Sequence, residues 1–213
     1  MPKSKVDEKS TTAAINKVKN TVKNANKKRK PRGSLSKSAI VDAAKVLLHE
    51  QGVDALSIRK IANVLDAGPM SIYNHFSTKQ DIVFALVEEF VERAHQREDL
   101  NTDWQEWLHL TFVDIFSAFA DEPEYLMLMI SSNNIGVSSR KVFENAVVCL
   151  MGAGFSSKNA AIAFHKLLSF TLGAAMMRVN LNQAENEVEP VVHDVMIGGQ
   201  FDASLRDIIL GLK

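Results

Sequence analysis

The sequence predicts an all-α fold, in which an N-terminal three-helix helix-turn-helix domain precedes a C-terminal helical body. Three observations carry this. From Ser36 onward, apolar residues recur at three- and four-residue spacings, the period of a buried helix face. No stretch sustains the polar–apolar alternation of a strand. Two short helical segments, 57–65 and 69–76, are separated only by Asp66-Ala67-Gly68, which makes a tight turn between them.

The first helix is expected to begin near Ser36 and to end at Gly52, with Ile40, Ala44, Leu47 and Leu48 on one face. Gly52 supplies the left-handed residue common just after a helix. Ser57 is the expected N-cap of the second helix, whose Ile58, Ile61, Ala62 and Leu65 face inward. Pro69 suits the start of the third, because a first-turn N–H has no helical partner to lose. That helix closes at Phe76. Ile72 and Phe76 anchor it, leaving Met70, Ser71, Tyr73, Asn74 and His75 to face outward. Ser77-Thr78-Lys79-Gln80 reads as a capping box of the S-x-x-Q type. It opens a fourth helix to about His95, with Ile82, Val83, Leu86, Val87, Phe90 and Val91 on its apolar side. Further helices are expected near 103–120, 123–132, 138–152, 156–180 and 200–212, with 182–199 as a mobile connection.

The zero net charge conceals a segregation. Residues 1–33 hold eleven Lys or Arg against Asp7 and Glu8, whereas the other 180 residues hold fourteen basic and twenty-three acidic side chains. A segment so polar cannot offset its chain entropy by burial, so 1–33 reads as a disordered basic arm suited to a polyanion. The domains expected are therefore the arm at 1–33, a helix-turn-helix domain at 34–80 and a helical body at 81–213. The single cysteine, Cys149, lies in an apolar run and excludes an intrachain disulfide. The apolar run 167–177 is too short to span a bilayer, and no apolar stretch follows the basic N-terminus as in a secretory signal. A cytoplasmic protein without membrane contact is the expectation. His109 and His165 stand alone, without metal-ligand spacing, and no phosphate loop, nucleophile elbow or useful carboxylate pair is seen. Neither a metal, a cofactor nor an enzymatic activity is expected.

A reading helix that enters the major groove can be short but must be held rigidly by its neighbours, which accounts for the segment lengths. The runs Ile40-Val41-Asp42-Ala43-Ala44, Leu56-Ser57-Ile58-Arg59-Lys60-Ile61-Ala62 and Ser71-Ile72-Tyr73-Asn74-His75-Phe76-Ser77-Thr78-Lys79 resemble the TetR family of repressors. Trp104-Gln105-Glu106-Trp107-Leu108, Gly154-Phe155-Ser156, Phe170-Thr171-Leu172-Gly173 and the segment from Phe201 to Leu212 are similar to the body of its tetracycline-repressor branch. The resemblance implies that Arg59 reads a base edge and that Pro69, Met70 and Asn74 sit on the reading helix. It also implies phosphate contacts from Ser57, Ser71, Tyr73, His75 and Lys79, which set register and carry no sequence information. Tyr73 could be a core aromatic instead, and His75 an ordinary surface histidine; Lys60 reads as a solvated charge. Arg32, in Pro31-Arg32-Gly33 just before the first helix, could enter a narrow minor groove, or the arm could be only a solubilising tail.

One short helix covers too few base pairs to specify a site. The expected partner is therefore double-stranded DNA with palindromic half-sites, bound by a homodimer joined through the helix near 156–180 and the last helix. The resemblance further implies a chamber for a small apolar or amphipathic effector, contacted by His95. Its lining would be Thr111, Ile115, Phe116, Met127, Ile130, Phe143, Val147, Phe164 and Leu168. Tetracycline itself is not carried over, because that branch uses a histidine where this chain reads Met129-Ile130-Ser131-Ser132-Asn133-Asn134. The functions that follow are a repressor released from its operator by the effector or, alternatively, a regulator of the same fold answering to a protein partner or to no ligand.

Overall fold

The computed structural model describes residues 35–95, 103–131, 136–183 and 200–212. The basic arm, and all but the first two residues of the expected connection at 182–199, lie outside these. The described residues form nine α-helices and no strand. They are α1 (Lys37–Gln51), α2 (Ile58–Val64), α3 (Pro69–Tyr73), α4 (Lys79–Ala94), α5 (Trp104–Asp121), α6 (Pro123–Ser131), α7 (Val137–Gly152), α8 (Ser157–Gln183) and α9 (Gln200–Leu210). They divide into two compact units, Met1–Val87 and Glu88–Lys213. The first reaches beyond residue 80 because Ile82, Val83, Leu86 and Val87 of α4 are all buried.

In the first unit most helix ends have a local cause. The Ser36 hydroxyl caps α1 by accepting from the Ala39 N–H at 3.2 Å. At the other end Gly52 adopts φ 75°, which costs a residue with a Cβ but not glycine. Ser57 caps α2 by accepting from the Lys60 N–H at 3.2 Å. The turn to α3 takes its left-handed residue at Asp66 (φ 50°), since short polar side chains tolerate that region better than most. The α4 cap differs from expectation. Its N-cap is Thr78, whose hydroxyl accepts from the Asp81 N–H at 3.1 Å while the Asp81 carboxylate accepts from the Thr78 N–H at 2.8 Å. The box is shifted by one residue from Ser77 and Gln80 because the helix begins at Lys79. The core is aliphatic, built on Ile40, Ala44, Leu47, Leu48, Ile61, Ile72, Ile82 and Leu86. In α2, Val64 is buried rather than Leu65, and Ile58 is half-buried.

The second unit is built on aromatic side chains. Trp107, Phe112 and Phe119 of α5 are fully buried, each contributing roughly 2–3 kcal/mol of apolar burial. The Phe164 ring of α8 lies 5.7 Å from Phe112 and 5.2 Å from Phe143 of α7. Phe201 of α9 stacks on Phe116 at 3.9 Å and faces Phe170 at 5.5 Å. Tyr125 of α6 stacks on Phe90 of α4 at 4.5 Å, and its burial, reinforced by Glu122, pushes its hydroxyl up to about 12. Arg93 donates to both carboxylate oxygens of Glu122. Glu88 completes α7, whose N-cap, Gly136, offers no side chain. One Glu88 oxygen accepts from the Ser138 N–H at 2.9 Å, and a Cβ on Gly136 would overlap that carboxylate.

Helix α8 runs unbroken for 27 residues. By length and composition its Ser157–Asn180 stretch could cross a membrane, with mean hydropathy 1.4, so the apolar segment is longer than the run 167–177 suggested. Core helices of soluble proteins share these properties. Here Ala160, Ala163, Phe164, Leu167, Thr171 and Ala175 form its buried stripe, and Phe164 is seated between α5 and α7.

Candidate nucleic-acid interface

A five-residue helix cannot hold itself together in water, so α3 depends on its anchors. Ile72 is completely buried and Phe76 nearly so, while Met70, on the opposite side, is 73% exposed. Pro69, Tyr73 and Asn74 are exposed beside it, and Ser71 and His75 are half-buried. The outward set expected from periodicity is thus the set left at or near the surface. Tyr73 keeps nearly half its surface in solvent and is not a core aromatic; Phe76 is. Backbone bonds from the His75 and Phe76 N–H groups to the Ile72 carbonyl, at 2.9 and 3.0 Å, carry the turn past the helix end and fix Phe76 inward.

Arg59 is exposed on the first turn of α2, next to the Ser57 cap. The Ser57 oxygen accepts from Lys60, which leaves its own proton to donate outward. Lys79 is exposed at the start of α4, where the free N–H groups of the first turn add a positive field. Arg32 lies outside the described residues. One cation was missed from the sequence: Lys37 places its ammonium over the Phe76 ring, 5.6 Å from the centroid. Nothing in the spacing of residues 37 and 76 signals this pair, because only the packing of α1 beside the end of α3 brings them together.

This arrangement coincides with a family match. The model of the tetR family of bacterial regulatory proteins matches residues 40–86, the span from α1 to α4. The tetracycline repressor protein of class E from Escherichia coli is 29% identical over 154 residues, covering 71% of this chain and 72% of its own. Together the match and this relative support a TetR-family regulator. What they support is a DNA-binding transcriptional regulator rather than an enzyme. Two solved structures share its fold. One is a single-residue variant of TetR from Acinetobacter baumannii AYE in complex with minocycline, at 24% identity and a TM-score of 0.68, covering 84% of this chain and 96% of that one. The other is BioQ with its natural double-stranded DNA operator, at 23% identity and a TM-score of 0.67, covering 84% and 98%.

The residues expected to line an effector chamber are distributed unevenly. Thr111, Ile115, Phe116 and Phe164 are buried; Phe143, Val147, Leu168 and His95 are half-buried. His95 meets the Trp107 ring edge-on at 6.2 Å. Phe116 is engaged by the Phe201 stack and by the Arg178 guanidinium, 5.4 Å from its centroid. Met127 and Ile130 are at least half exposed, because α6 turns Tyr125, Leu126 and Leu128 inward instead. Periodicity within one nine-residue apolar helix could not choose between those faces.

A second polar cluster, on α5 and α9, was not foreseen. The buried His109 shares a 2.7 Å hydrogen bond with Asp202, and Arg206 donates to both Asp202 and Glu106 at 3.3 Å. Burial opposes ionisation of Asp202, but the bonds from His109 and Arg206 outweigh it and hold the carboxyl below its ordinary value. Among the described residues no group of three or more His, Cys, Asp or Glu is placed to hold a metal ion.

Proposed function

We propose that the protein is a homodimeric repressor that reads a palindromic operator through α3 and is released from it by a small apolar or amphipathic effector held in the body. The observation that carries the DNA-reading part is α3 itself, a short helix pinned by Ile72 and Phe76 with Met70, Tyr73 and Asn74 left in solvent. Arg59 supplies a bidentate contact to guanine, Met70 an apolar contact to a thymine methyl, and Ser57, Ser71, Tyr73, His75 and Lys79 hold phosphates. Arg32 and the basic arm add an electrostatic contribution from the flanking DNA.

The homodimer is supported by the outer face of α8. Ile162, Ser169, Gly173 and Met177 lie exposed along one stripe, and Leu210 is exposed on α9. Open space in front of Gly173 allows a second helix to approach closely. The effector is supported by the half-buried and buried set on α5, α7 and α8, and by the minocycline complex of a protein sharing the fold. Effector and operator would then oppose each other through one coupling energy. Cytoplasmic location follows from this role. The exposed Met127 and Ile130 favour a second reading, in which α6 meets a protein partner.

The test is operator selection from random duplexes, followed by binding of Arg59→Ala. The expected outcome is a two-fold symmetric site, with the variant losing about 1–3 kcal/mol of preference at one base position per half-site. A site without symmetry, or unaltered preference in the variant, refutes the assignment.

A further inference from the structure

The outer side of α3 carries one group whose reactivity an apolar contact does not require. Met70, on the first turn of that helix, is 73% exposed, whereas Ile72 two residues on is completely buried. Leucine has much the same helix propensity and an equally apolar end, so what methionine adds here is flexibility and a thioether sulfur. Between residues 35 and 87 the sequence holds no other sulfur atom. The other exposed methionines, Met127, Met151 and Met177, lie in the second unit. So does the half-buried Cys149, where burial, reinforced by Asp103, pushes the thiol up and away from the reactive thiolate form.

Oxidation at Met70 would spare the fold and alter the surface. Its side chain lies on the opposite side of α3 from the anchors Ile72 and Phe76. A sulfoxide there stays in water, whereas at a buried methionine it would disrupt the core. The apolar end becomes a polar, chiral one, whose oxygen only accepts hydrogen bonds. Against a thymine methyl that oxygen gives up its water and meets no donor in exchange. Resting on the reading of α3 as the operator-contacting helix, we propose that Met70 is a reversible oxidation site through which hydroperoxides lower affinity for the operator. The sulfur lone pair attacks the terminal peroxide oxygen, so that the S–O bond forms as the O–O bond breaks. Sulfur loses two electrons, and the proton of the attacked oxygen passes to the departing one, which leaves as an alcohol or, from hydrogen peroxide, as water. Two thiols on a sulfoxide reductase reverse the step, becoming a disulfide and releasing the oxygen as water. DNA covers the sulfur, so the free protein is the form that is oxidised.

The probe is hydrogen peroxide applied to the full chain, with oxidation of Met70 followed by peptide mass spectrometry and folding by circular dichroism melting. Binding to a selected operator duplex and to an unrelated duplex is measured for wild type and Met70→Leu, each protein compared with its own untreated form. Oxidised wild type is expected to lose roughly tenfold or more in operator affinity, the scale of a lost base contact, with little change on the unrelated duplex. Its melting curve stays in place, and sulfoxide reductases for both epimers, supplied with a dithiol, restore the affinity. Operator-bound protein gains oxygen at Met70 several-fold more slowly than free protein. Met70→Leu shows no comparable loss after the same treatment. Unchanged operator affinity with Met70 oxidised, an equal loss in Met70→Leu, a loss shared by both duplexes, or resistance of Met70 to peroxide in the free protein overturns the proposal. Untreated wild type that selects no duplex refutes the reading of α3 itself, a failure distinct from operator binding that survives oxidation.

Discussion

The two units of this chain solve the problem of burial differently. In the unit ending at Val87 the buried side chains are aliphatic, alanine or Phe76, and among the described residues no polar side chain is fully buried. The unit from Glu88 onward buries clusters of aromatic rings along α5 and α8, together with His109, Thr111 and Thr171. An aliphatic core with side-chain caps on α1, α2 and α4 leaves little freedom, which suits a surface that must match a groove of fixed width. A ring-lined core with unpaired polar atoms has chemistry left to offer. The first unit holds its shape by aliphatic packing and caps, the second by ring contacts around a few buried polar groups.

The largest effect expected from breaking this comparison is in the body. Phe112→Ala should destabilise the chain by about 3–5 kcal/mol, because Phe164 would lose its ring partner to a cavity. Thermal melting checks the size, and hydrogen exchange should place the loss in α5 and α8. Ile72→Ala should cost about 2–5 kcal/mol and uncouple α3, so that operator binding fails while exchange in α5 and α8 is unchanged. Protection lost equally in both units would show that they do not unfold separately. Thr78→Ala should cost about 1 kcal/mol by removing one half of the reciprocal cap, whereas Ser77→Ala should be near neutral. Equal losses would restore the cap to Ser77.

The smallest effect concerns the tie between α5 and α9. Since the folded Asp202 carboxyl lies below its ordinary value, its contribution is fully present above the ordinary carboxylate range and is lost as the pH falls through the depressed value. Asp202→Asn should flatten the acid side of the stability profile while changing little at neutral pH, because the carboxylate is half exposed and screened. An unchanged acid limb in the variant would show that Glu106 and Arg206 hold α9 without it.

The legibility of the sequence follows the range of the forces involved. Gly52, Ser57 and Pro69 mark helix ends because a cap or a left-handed residue acts within four positions of itself. The same locality set the error at α4, where Ser77 and Thr78 are chemically equivalent caps and only the start of the helix chooses between them. Periodicity sorted Ile72 from Met70 in a helix with a mixed face, but it offers no choice on α6, where nearly every residue is apolar and Met127 and Leu128 are indistinguishable by pattern. The family resemblance and the outward residues of α3 were therefore readable, and the inner face of the body was not.

By itself the sequence determined the helices, most of their caps, the short third helix and the family resemblance at 40–86, all written in local patterns of residues. Only the tertiary structure decided that Lys37 covers Phe76, that Glu88 caps α7, that His109 meets Asp202, and that Trp107 and Thr111 are buried without partners among the described residues. The reason is physical. These pairings join side chains 39, 50 and 93 residues apart, or depend on what fails to arrive beside a buried atom, and no local spacing encodes either.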